Sequence, residues 1–412
     1  MRIFIAGIDG YLGWALAQYL TERGHEVAGA DALMRRDWVA EMDSISARPI
    51  ASYEDRVAAF NEHFNTRLDF RVGDLTDYAF VVDCFESFQP DAVIHLAQMP
   101  SAPYSMMDVQ HCMWTHTNNV GTNLAILWAM QAIVPDAHLV KLGTMGEYGQ
   151  PNVDIPEGFF EVEYNGRRDH LPFPRQAGSW YHQTKVHDSN NTHFACKIWG
   201  LRATDIMQGI VFGTRFPNAV VDDPRMYTRL DFDQAFGTAL NRFCVQAVAG
   251  HPLTVYGTGE MVRAFLPLRD SMQCLALAVE NPAEEGEYRV FNQFAESYSI
   301  LDLALLVQDL GHELGMDVTV QQYENPRHEK PRHYYNPERR NLDRIGYIPS
   351  TDVRAELRLM LEDLLPHRER ILTATEALVP NIRWDGRHRR SEVVAENAEN
   401  TVELALPVQP RG

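Results

Sequence analysis

The chain has 412 residues, 45% of them hydrophobic, and a formal net charge of −19. This composition suits a globular protein, and the negative charge argues against a nucleic-acid binder because a phosphate backbone would be repelled. No apolar run is long enough to cross a bilayer, and no signal peptide is evident, so we expect a cytoplasmic protein without a membrane partner. The five cysteines lack paired spacing, which predicts reduced thiols and no metal site.

The first predicted elements are a strand, a glycine-rich turn and a helix. Arg2–Ala6 is a short apolar run typical of a buried parallel strand, and residues 11–23 carry helical apolar spacing. Glycine allows a tight turn and a close approach to a pyrophosphate, while the helix N-terminus supplies free N–H groups. We therefore predict a dinucleotide site whose first contacts are Gly7, Asp9, Gly10, Tyr11, Leu12 and Gly13.

An acidic residue closes the second predicted strand, which covers residues 26–30. Asp31 stands 18 residues after Gly13, where a carboxylate can bind both ribose hydroxyls of NAD and would repel the 2′-phosphate of NADP. Arg35 and Arg36 lie close by and weaken the preference for NAD slightly. The alternative is an ordinary glycine-rich turn followed by a helix-capping aspartate.

Further strands alternate with helical stretches at Asp69–Val72, 92–97 and 138–143. This rhythm predicts an α/β fold with a Rossmann-type doubly wound parallel sheet. Ligands bind beyond the carboxyl ends of such strands, so the residues that follow them should converge on one site. The cofactor contacts expected from these positions are Asp74, Leu75, Leu96, Ala97 and Gln208.

Residues suited to hydride chemistry follow the fifth predicted strand. Tyr181 and Lys185 are four residues apart, so on a helix both can point into one site. A lysine ammonium favours the phenolate of a tyrosine that acts as a base, and it can also hold the nicotinamide ribose. Removal of a hydride from a carbinol requires a base for the hydroxyl proton, which would be Tyr181, and Thr144 can hydrogen-bond the oxygen of that hydroxyl. A Tyr-x-x-x-Lys pair alone also occurs by chance, but its position after a dinucleotide turn favours a redox site.

Several long strings carry a resemblance to a known family. They are Ser-Ala-Pro-Tyr-Ser-Met at 101–106, Leu-Gly-Thr-Met-Gly-Glu-Tyr-Gly at 142–149, Tyr-His-Gln-Thr-Lys-Val-His-Asp-Ser at 181–189, Phe-Gly-Thr-Ala-Leu-Asn-Arg-Phe-Cys-Val-Gln at 236–246 and His-Tyr-Tyr-Asn at 333–336. From residue 1 to about 370 the chain resembles the UDP-sulfoquinovose synthases, which are extended short-chain dehydrogenase/reductases of the nucleotide-sugar epimerase/dehydratase group.

The resemblance implies a tightly held NAD, UDP-glucose as substrate and sulfite as sulfur donor. Asn119 matches the helix asparagine of the extended enzymes and is an expected cofactor contact, or else an ordinary polar helix residue. Tyr181 would take the C4 hydroxyl proton, elimination would give a 4-keto-5,6-ene, and sulfite would add at C6. Glu147 and His182 are the candidates for the proton transfers at C5 and C6, and Met145 is a further expected catalytic contact. The alternatives are a structural carboxylate for Glu147 and an incidental neighbour of the tyrosine for His182.

The C-terminal half should hold the sugar nucleotide. Arg263 and Arg327 are placed to neutralise a diphosphate, although each alone could be an ordinary surface arginine. Residues 253–257 resemble the strand that borders uracil in this group. The remaining expected substrate contacts are Ser101, Tyr104, Gln208, Thr238, Asn241, Thr254, Val255 and Tyr256.

Two differences between this chain and the UDP-sulfoquinovose synthases that it resembles leave the identity of the product open. The usual Glu-Gln-Arg before residue 101 is here Gln98-Met99-Pro100, and Pro267 replaces the usual strand aspartate. The alternatives are therefore a UDP-sugar 4-epimerase or dehydratase that does not use sulfite, or an NAD-sensing protein without catalysis. The intact Thr144, Tyr181 and Lys185 argue against the sensor.

The domain organisation follows from these assignments. We predict an NAD-binding domain at 1–205 with an insertion at 35–66, and a sugar-nucleotide lobe at 206–385 that returns strands to the main sheet. The insertion either covers NAD or is a surface excursion. Residues 386–412 are predicted to be a flexible tail or a contact with a partner subunit. The resemblance implies a homodimer formed through the helices that hold Asn119 and Tyr181.

Overall fold

The computed structural model describes residues 1–327, 329–330, 333–350 and 352–385. The predicted tail at 386–412 lies outside these residues. The strands are β1 (Arg2–Ala6), β2 (Glu26–Asp31), β3 (Asp69–Val72), β4 (Ala92–His95), β5 (His138–Thr144), β6 (Phe159–Tyr164), β7 (Arg167–Pro172), β8 (Arg202–Gln208), β9 (Ile210–Phe212), β10 (Leu253–Tyr256), β11 (Val262–Pro267), β12 (Tyr288–Gln293), β13 (Glu296–Ser299) and β14 (Val320–Tyr323).

The helices connect and cover these strands. They are α1 (Tyr11–Glu22), α2 (Met34–Glu41), α3 (Tyr53–Phe64), α4 (Tyr78–Phe88), α5 (Ala102–Ser105), α6 (Val109–Ile133), α7 (Trp180–Trp199), α8 (Ala239–Ala249), α9 (Leu268–Glu280), α10 (Ile300–Glu313), α11 (Asn341–Arg344), α12 (Val353–Leu364) and α13 (Arg368–Leu372), with 3₁₀ turns at Met145–Glu147, Pro224–Met226, Leu365–His367 and Thr375–Leu378. Within the described residues, none of these helices is long and apolar enough to span a membrane.

A seven-stranded parallel sheet in the order β12-β8-β5-β4-β1-β2-β3 forms the larger body. Successive side chains of β1 enter opposite cores, because Ile3 and Ile5 pack with α1 and α9 while Phe4 packs with α4 and α6. Helices therefore cover both faces of the sheet. The doubly wound α/β fold expected from the sequence is confirmed, and β12 enters this sheet from the C-terminal half.

The smaller lobe has its own hydrophobic core. Helices α8, α10 and α12 pack together through buried residues such as Phe243, Leu303 and Leu361. A parallel pair, β10 and β14, and a three-stranded sheet in the order β13-β11-β9 complete the lobe. The boundary at residue 205 stays a prediction, since β8 runs through it as part of the main sheet.

The insertion after β2 bridges the two lobes instead of projecting from the surface. In α3, Phe60 packs on Trp14 of α1 with ring centroids 5.7 Å apart. In α2, the ring of Trp38 stacks on Phe236 of the smaller lobe at 6.3 Å, and Arg35 pairs with Asp231 at 2.7 Å. These contacts hold the lobes together at the cofactor end of the cleft.

Two glycines of the first turn allow backbone contacts that a side chain would prevent. A Cβ on Gly7 would lie 2.8 Å from the amide nitrogen of Ala97, and a Cβ on Gly13 would lie 2.1 Å from the carbonyl oxygen of Gly7. Gly7 also has a φ of +91°, in the left-handed region that favours glycine. The turn therefore packs directly on the backbone that follows β4.

Gly13→Ala should lower the free energy of unfolding by about 1–3 kcal/mol, because backbone must move to admit the methyl group. Gly121→Ala is the matched control. Gly121 lies inside α6, and its Cβ would be 3.7 Å from the nearest atom, which belongs to Thr76. That change should be neutral or stabilising by up to about 1 kcal/mol. Chemical denaturation of both variants measures the difference, and equal stability would contradict the close packing of the turn.

Candidate active site

One cavity of about 740 Å³ lies at the carboxyl ends of the main-sheet strands and extends into the smaller lobe. Most of the residues predicted from the sequence line it. These are Gly7, Gly10, Tyr11, Leu12, Gly13, Asp31, Arg35, Asp74, Leu75, Leu96, Ala97, Ser101, Thr144, Met145, Tyr181, His182, Lys185, Gln208, Thr238, Thr254, Tyr256, Arg263 and Arg327. Seven other predicted residues do not line it, namely Asp9, Arg36, Tyr104, Asn119, Glu147, Asn241 and Val255.

The cofactor end combines the glycine turn with the Asp31 carboxylate. Asp31 accepts backbone N–H bonds from Asp9 at 2.9 Å and from Leu33 at 2.7 Å, which fixes the carboxylate at the cavity wall. Burial and the neighbouring Asp9 raise the pKa of Asp31 to about 6. A carboxylate here and a turn open to a pyrophosphate fit bound NAD.

The basic residues near Asp31 are held by carboxylates. Arg36 donates to both oxygens of Asp9 at 2.9 Å, and the buried guanidinium of Arg56 also binds Asp9. Arg35 is held by Asp231. The side chain of Asp9 therefore anchors the insertion instead of facing the cavity. Arg36 is engaged by Asp9, whereas Arg35 lines the cavity, and its charge is offset by Asp231.

Tyr181, Lys185 and Thr144 face the cavity from α7 and from the end of β5. The ammonium of Lys185 donates to the carbonyl of Leu142 at 2.7 Å and lies 5.9 Å from the Tyr181 ring centroid. Burial, then the charge of Lys141, lowers the pKa of Lys185 to about 8. Burial, with the nearby Glu147 carboxylate, raises the pKa of Tyr181.

His182 lies beside the tyrosine, over the turn that follows β5. Its Nδ1 lies 2.9 Å from Ser179 Oγ, and a Cβ on Gly146 would lie 2.3 Å from its Nε2. Burial, then the charges of Arg327 and Arg263, lowers the pKa of His182 to about 3, so the imidazole is neutral near pH 7. The imidazole is a weak base in this state, and it would become a stronger one when a diphosphate offset the charges of Arg327 and Arg263.

Glu147 points away from the cavity into a network of buried charges. Its carboxylate accepts the N–H of Thr144 at 3.2 Å and the hydroxyl of Ser189 at 2.9 Å, and it binds the guanidinium of Arg175. Lys141 lies 3.8 Å away. This environment favours the structural alternative for Glu147, because its carboxylate is engaged by buried groups of β5, α7 and the loop before α7.

The opposite end of the cavity is lined by Arg263 and Arg327. Both approach the carboxylate of Glu329, at 3.1 Å and 3.8 Å, and the Arg327 guanidinium lies 5.1 Å from the Trp384 ring centroid. Two guanidinium groups on one wall provide the charge that a diphosphate requires. The predicted pair is thus brought together by β11 and by the segment after β14.

The other predicted residues outside the cavity have structural contacts. Asn119 is fully buried, accepts the N–H of Met99 at 2.8 Å and donates to Thr184 Oγ1 at 3.0 Å, so it braces the loop after β4 against α7. The Tyr104 hydroxyl donates to Glu41 at 2.8 Å, and Asn241 accepts the N–H of Gly213 at 3.1 Å. Val255 belongs to the core of the smaller lobe.

Sequence reasoning missed several cavity residues, and all but Arg242 of α8 come from irregular segments. They are Gln150, Gln176, Gln234, Arg242, Glu329 and Trp384. Each is an isolated polar or aromatic side chain with no periodic or spacing signal. Gln98 also lines the cavity, and only its difference from the resembling enzymes marked it in the sequence.

Comparison with known proteins assigns the family. Residues 3–292 match the NAD dependent epimerase/dehydratase family, and the chain belongs to it. The chain is 46% identical to the UDP-sulfoquinovose synthase of Sulfolobus acidocaldarius over 93% of this chain and 98% of that protein. It is 44% identical to the chloroplastic UDP-sulfoquinovose synthase of Spinacia oleracea over 93% and 79% of the two chains.

Solved structures share the fold. A Thermotoga maritima UDP-glucose 4-epimerase with UDP-glucose superposes with a TM-score of 0.65 at 18% identity, covering 88% of this chain and 98% of that one. The Thermus thermophilus UDP-glucose 4-epimerase with NAD gives 0.63 at 21% identity, covering 88% and 99%. The protein is an NAD-dependent enzyme, as expected from its sequence, and its similarity to UDP-sulfoquinovose synthases is confirmed.

NAD affinity should fall several-fold as the pH decreases from 7 to 5. The Asp31 carboxyl takes up a proton near pH 6 and then loses one of the acceptors for the ribose hydroxyls. Calorimetric titration of nucleotide-free protein measures the effect. Asp31→Asn should bind NAD more weakly with an affinity that is flat over this range, and a variant that kept the full pH dependence would contradict the assignment.

Proposed function

We propose that the protein makes UDP-sulfoquinovose from UDP-glucose and sulfite. The observation that carries the proposal is a single cavity in which Tyr181, Lys185 and Thr144 stand between the cofactor turn and the two arginines. The near full-length similarity to two UDP-sulfoquinovose synthases supports this product over others of the same scaffold.

Each residue of the site has a separate role in the oxidation at C4. Bound NAD supplies the hydride acceptor for C4 of the glucose unit and returns the hydride at the end. Tyr181 takes the proton of the C4 hydroxyl. Burial raises the pKa of its phenol, and the positive charges of Lys185 and of the nicotinamide of bound NAD would favour the phenolate against that cost. Thr144 Oγ1 already accepts the N–H of Gly146 at 3.1 Å, so its hydroxyl proton is available to the same substrate oxygen.

The 4-ketone then makes the hydrogen on C5 acidic. We assign the proton transfers at C5 and C6 to His182, because it lines the cavity as a neutral imidazole whereas Glu147 does not line it. Loss of the C5 proton and of the C6 hydroxyl as water gives the 4-keto-5,6-ene. Sulfite forms the new C–S bond at C6, a proton returns to C5, and C4 is reduced.

The second candidate is a UDP-sugar 4-epimerase or dehydratase that does not use sulfite. Pro100, which stands where the resembling enzymes carry an arginine, lies on the cavity wall and offers no charge or N–H donor. The neighbouring Gln98 amide is committed to the Asn119 carbonyl at 3.1 Å and to Asp188 at 2.5 Å. Sulfite would therefore have to be held by other groups of the wall.

Mass spectrometry of the products distinguishes these candidates. Protein incubated with UDP-glucose and NAD should form a sulfonated UDP-sugar only when sulfite is present. Tyr181→Phe is the matched control and should lower the rate by about 10²–10⁴-fold, because it removes the base and leaves the ring. An isomer or a dehydrated sugar formed regardless of sulfite would contradict the synthase and support the second candidate.

We also propose that the protein is a homodimer formed through α6 and α7. Large hydrophobic side chains are exposed along both helices. They are Val109, Met113, Leu124 and Trp128 on α6, and Trp180, Phe194 and Ile198 on α7. Many occur at spacings of three or four residues, which places them on shared helix faces, and such an apolar surface is typical of an interface.

Trp128→Glu should convert the dimer to a monomer, because a charge would be buried opposite its own copy. Sedimentation velocity measures the mass in solution. Ile348→Glu is the control, since Ile348 is 74% exposed but lies outside these helices. A wild-type monomer, or equal dissociation in both variants, would contradict the proposed interface.

For the cellular location we propose the cytoplasm. All five cysteines are free thiols in the described structure, and four of them are buried. Unpaired buried thiols fit a reducing compartment. Fractionation of cells that express the full-length protein tests this placement.

A further inference from the structure

Six ionisable groups, one of them Lys185, lie together behind Thr144, and their formal charges balance. Three are cations and three are carboxylates: Lys141, Arg175 and Lys185 against Glu147, Asp188 and Asp205. Lys141, Glu147, Asp188 and Asp205 have no exposed surface. Such charges are stable only when each has a counter-charge or a full set of hydrogen bonds.

Two of the three pairs are closed by direct contacts. Lys141 lies 3.0 and 3.2 Å from the oxygens of Asp205 and donates to Ser189 at 2.9 Å. Arg175 binds Glu147. The Asp205 carboxylate also accepts the hydroxyl of Tyr288 at 2.6 Å. These four charges compensate one another.

Asp188 is the remaining carboxylate, and its register on α7 places it with the catalytic residues. Tyr181, Lys185 and Asp188 follow one another at i, i+4 and i+7, on one face of the helix. One oxygen of Asp188 accepts the Gln98 amide at 2.5 Å, while the other has no hydrogen-bond partner among the described residues. A fully buried carboxylate with a single amide donor requires cations nearby. Lys141, then Lys185, act on Asp188 through their charges, and Lys185 is the one of the two that makes no direct carboxylate contact among the described residues.

We propose that Asp188 is a positioning residue that supplies the counter-charge for the Lys185 ammonium and so keeps the lysine in the form that assists Tyr181. Asp188 itself does not line the cavity and acts only through Lys185. The inference rests on the catalytic roles assigned to Tyr181 and Lys185 under the proposed function. It adds a residue that neither the glycine turn nor the Tyr-x-x-x-Lys spacing indicates.

Four groups act directly on Asp188: Lys141 from β5, Lys185 from α7 and Glu147 from the 3₁₀ turn through their charges, and Gln98 from the loop after β4 through its amide. The groups around them are Asp205 from β8, which acts on both lysines, Arg175 and Tyr288 from β12, which act on Asp205, and His95 from β4, which lies near both lysines. Burial lowers the pKa of His95 well below its usual range, so this histidine is neutral. The charge that changes around Asp188 near pH 7 is that of Lys185.

The sign of the effect follows from electrostatics. Burial raises the pKa of Asp188, and burial with the charge of Lys141 lowers the pKa of Lys185. Removing the Asp188 charge makes the Lys185 ammonium less favourable, so the pKa of Lys185 falls further. The basic limb of the rate profile should therefore move to lower pH.

Asp188→Asn tests the inference, since the amide has nearly the shape of the carboxylate. Lys185 in the NAD-bound protein is trace-acetylated with acetic anhydride at a series of pH values, and peptide mass spectrometry reports its reactivity. The midpoint should move down by about one pH unit or more relative to wild type. An unchanged midpoint in a folded Asp188→Asn protein would overturn the inference.

Two further variants separate charge from structure. Thr192→Val changes a buried residue one turn further on the same face of α7 and should leave the Lys185 midpoint unchanged. Asp188→Glu keeps the charge and should return the midpoint towards the wild-type value even if packing lowers the rate. If Asp188 had a purely structural role, Asp188→Asn would lower the rate at every pH without moving the labelling midpoint of Lys185.

The pH profile of single-turnover hydride transfer from UDP-glucose gives the second readout. In Asp188→Asn its basic limb should move with the labelling midpoint, and an unmoved limb would overturn the link from Asp188 to catalysis. The labelling experiment uses no sugar substrate. A wild-type protein that does not oxidise UDP-glucose would therefore count against the proposed function, while the Lys185 midpoint would still decide the role of Asp188.

Discussion

The buried pairing of Lys141 with Asp205 is the interaction on which the active site depends. It joins neighbouring strands β5 and β8 shortly before Thr144, with both side chains fully excluded from solvent. Removing one partner of such a pair leaves an uncompensated buried charge, at a cost of about 3–5 kcal/mol. The same network holds Glu147, which in turn binds the backbone N–H of Thr144. The position of Thr144 is thus set by charges that do not line the cavity.

A second constraint is the bridge that the insertion makes between the lobes. Arg35 and Trp38 of α2 bind Asp231 and Phe236, and Arg36 reaches back to Asp9 beside the cofactor turn. The cofactor end of the cavity is therefore closed by contacts that involve both lobes. This arrangement suits an enzyme that keeps NAD through a full cycle of oxidation and reduction, because the same nucleotide must return the hydride.

Sequence reasoning was most effective where backbone geometry and chemistry coincide. Gly7 and Gly13 are required by close backbone contacts, and Tyr181 and Lys185 share a helix face by register alone, so these residues could be placed without a structure. It was least effective for single polar side chains. Asp9 was expected at the cofactor, but its side chain is held by Arg36 and Arg56, which lie far along the chain.

The sequence by itself determined the α/β fold, the succession of the first five strands along the chain, the cofactor turn and the Tyr181–Lys185 pair. These features depend on local periodicity and on spacing within one element. Only the tertiary structure decided that Glu147 faces Arg175 and that Lys141 pairs with Asp205. Those outcomes depend on which side chains are buried together across distant segments. The energy of burying charges selects that pairing, and it leaves no pattern in the order of the residues.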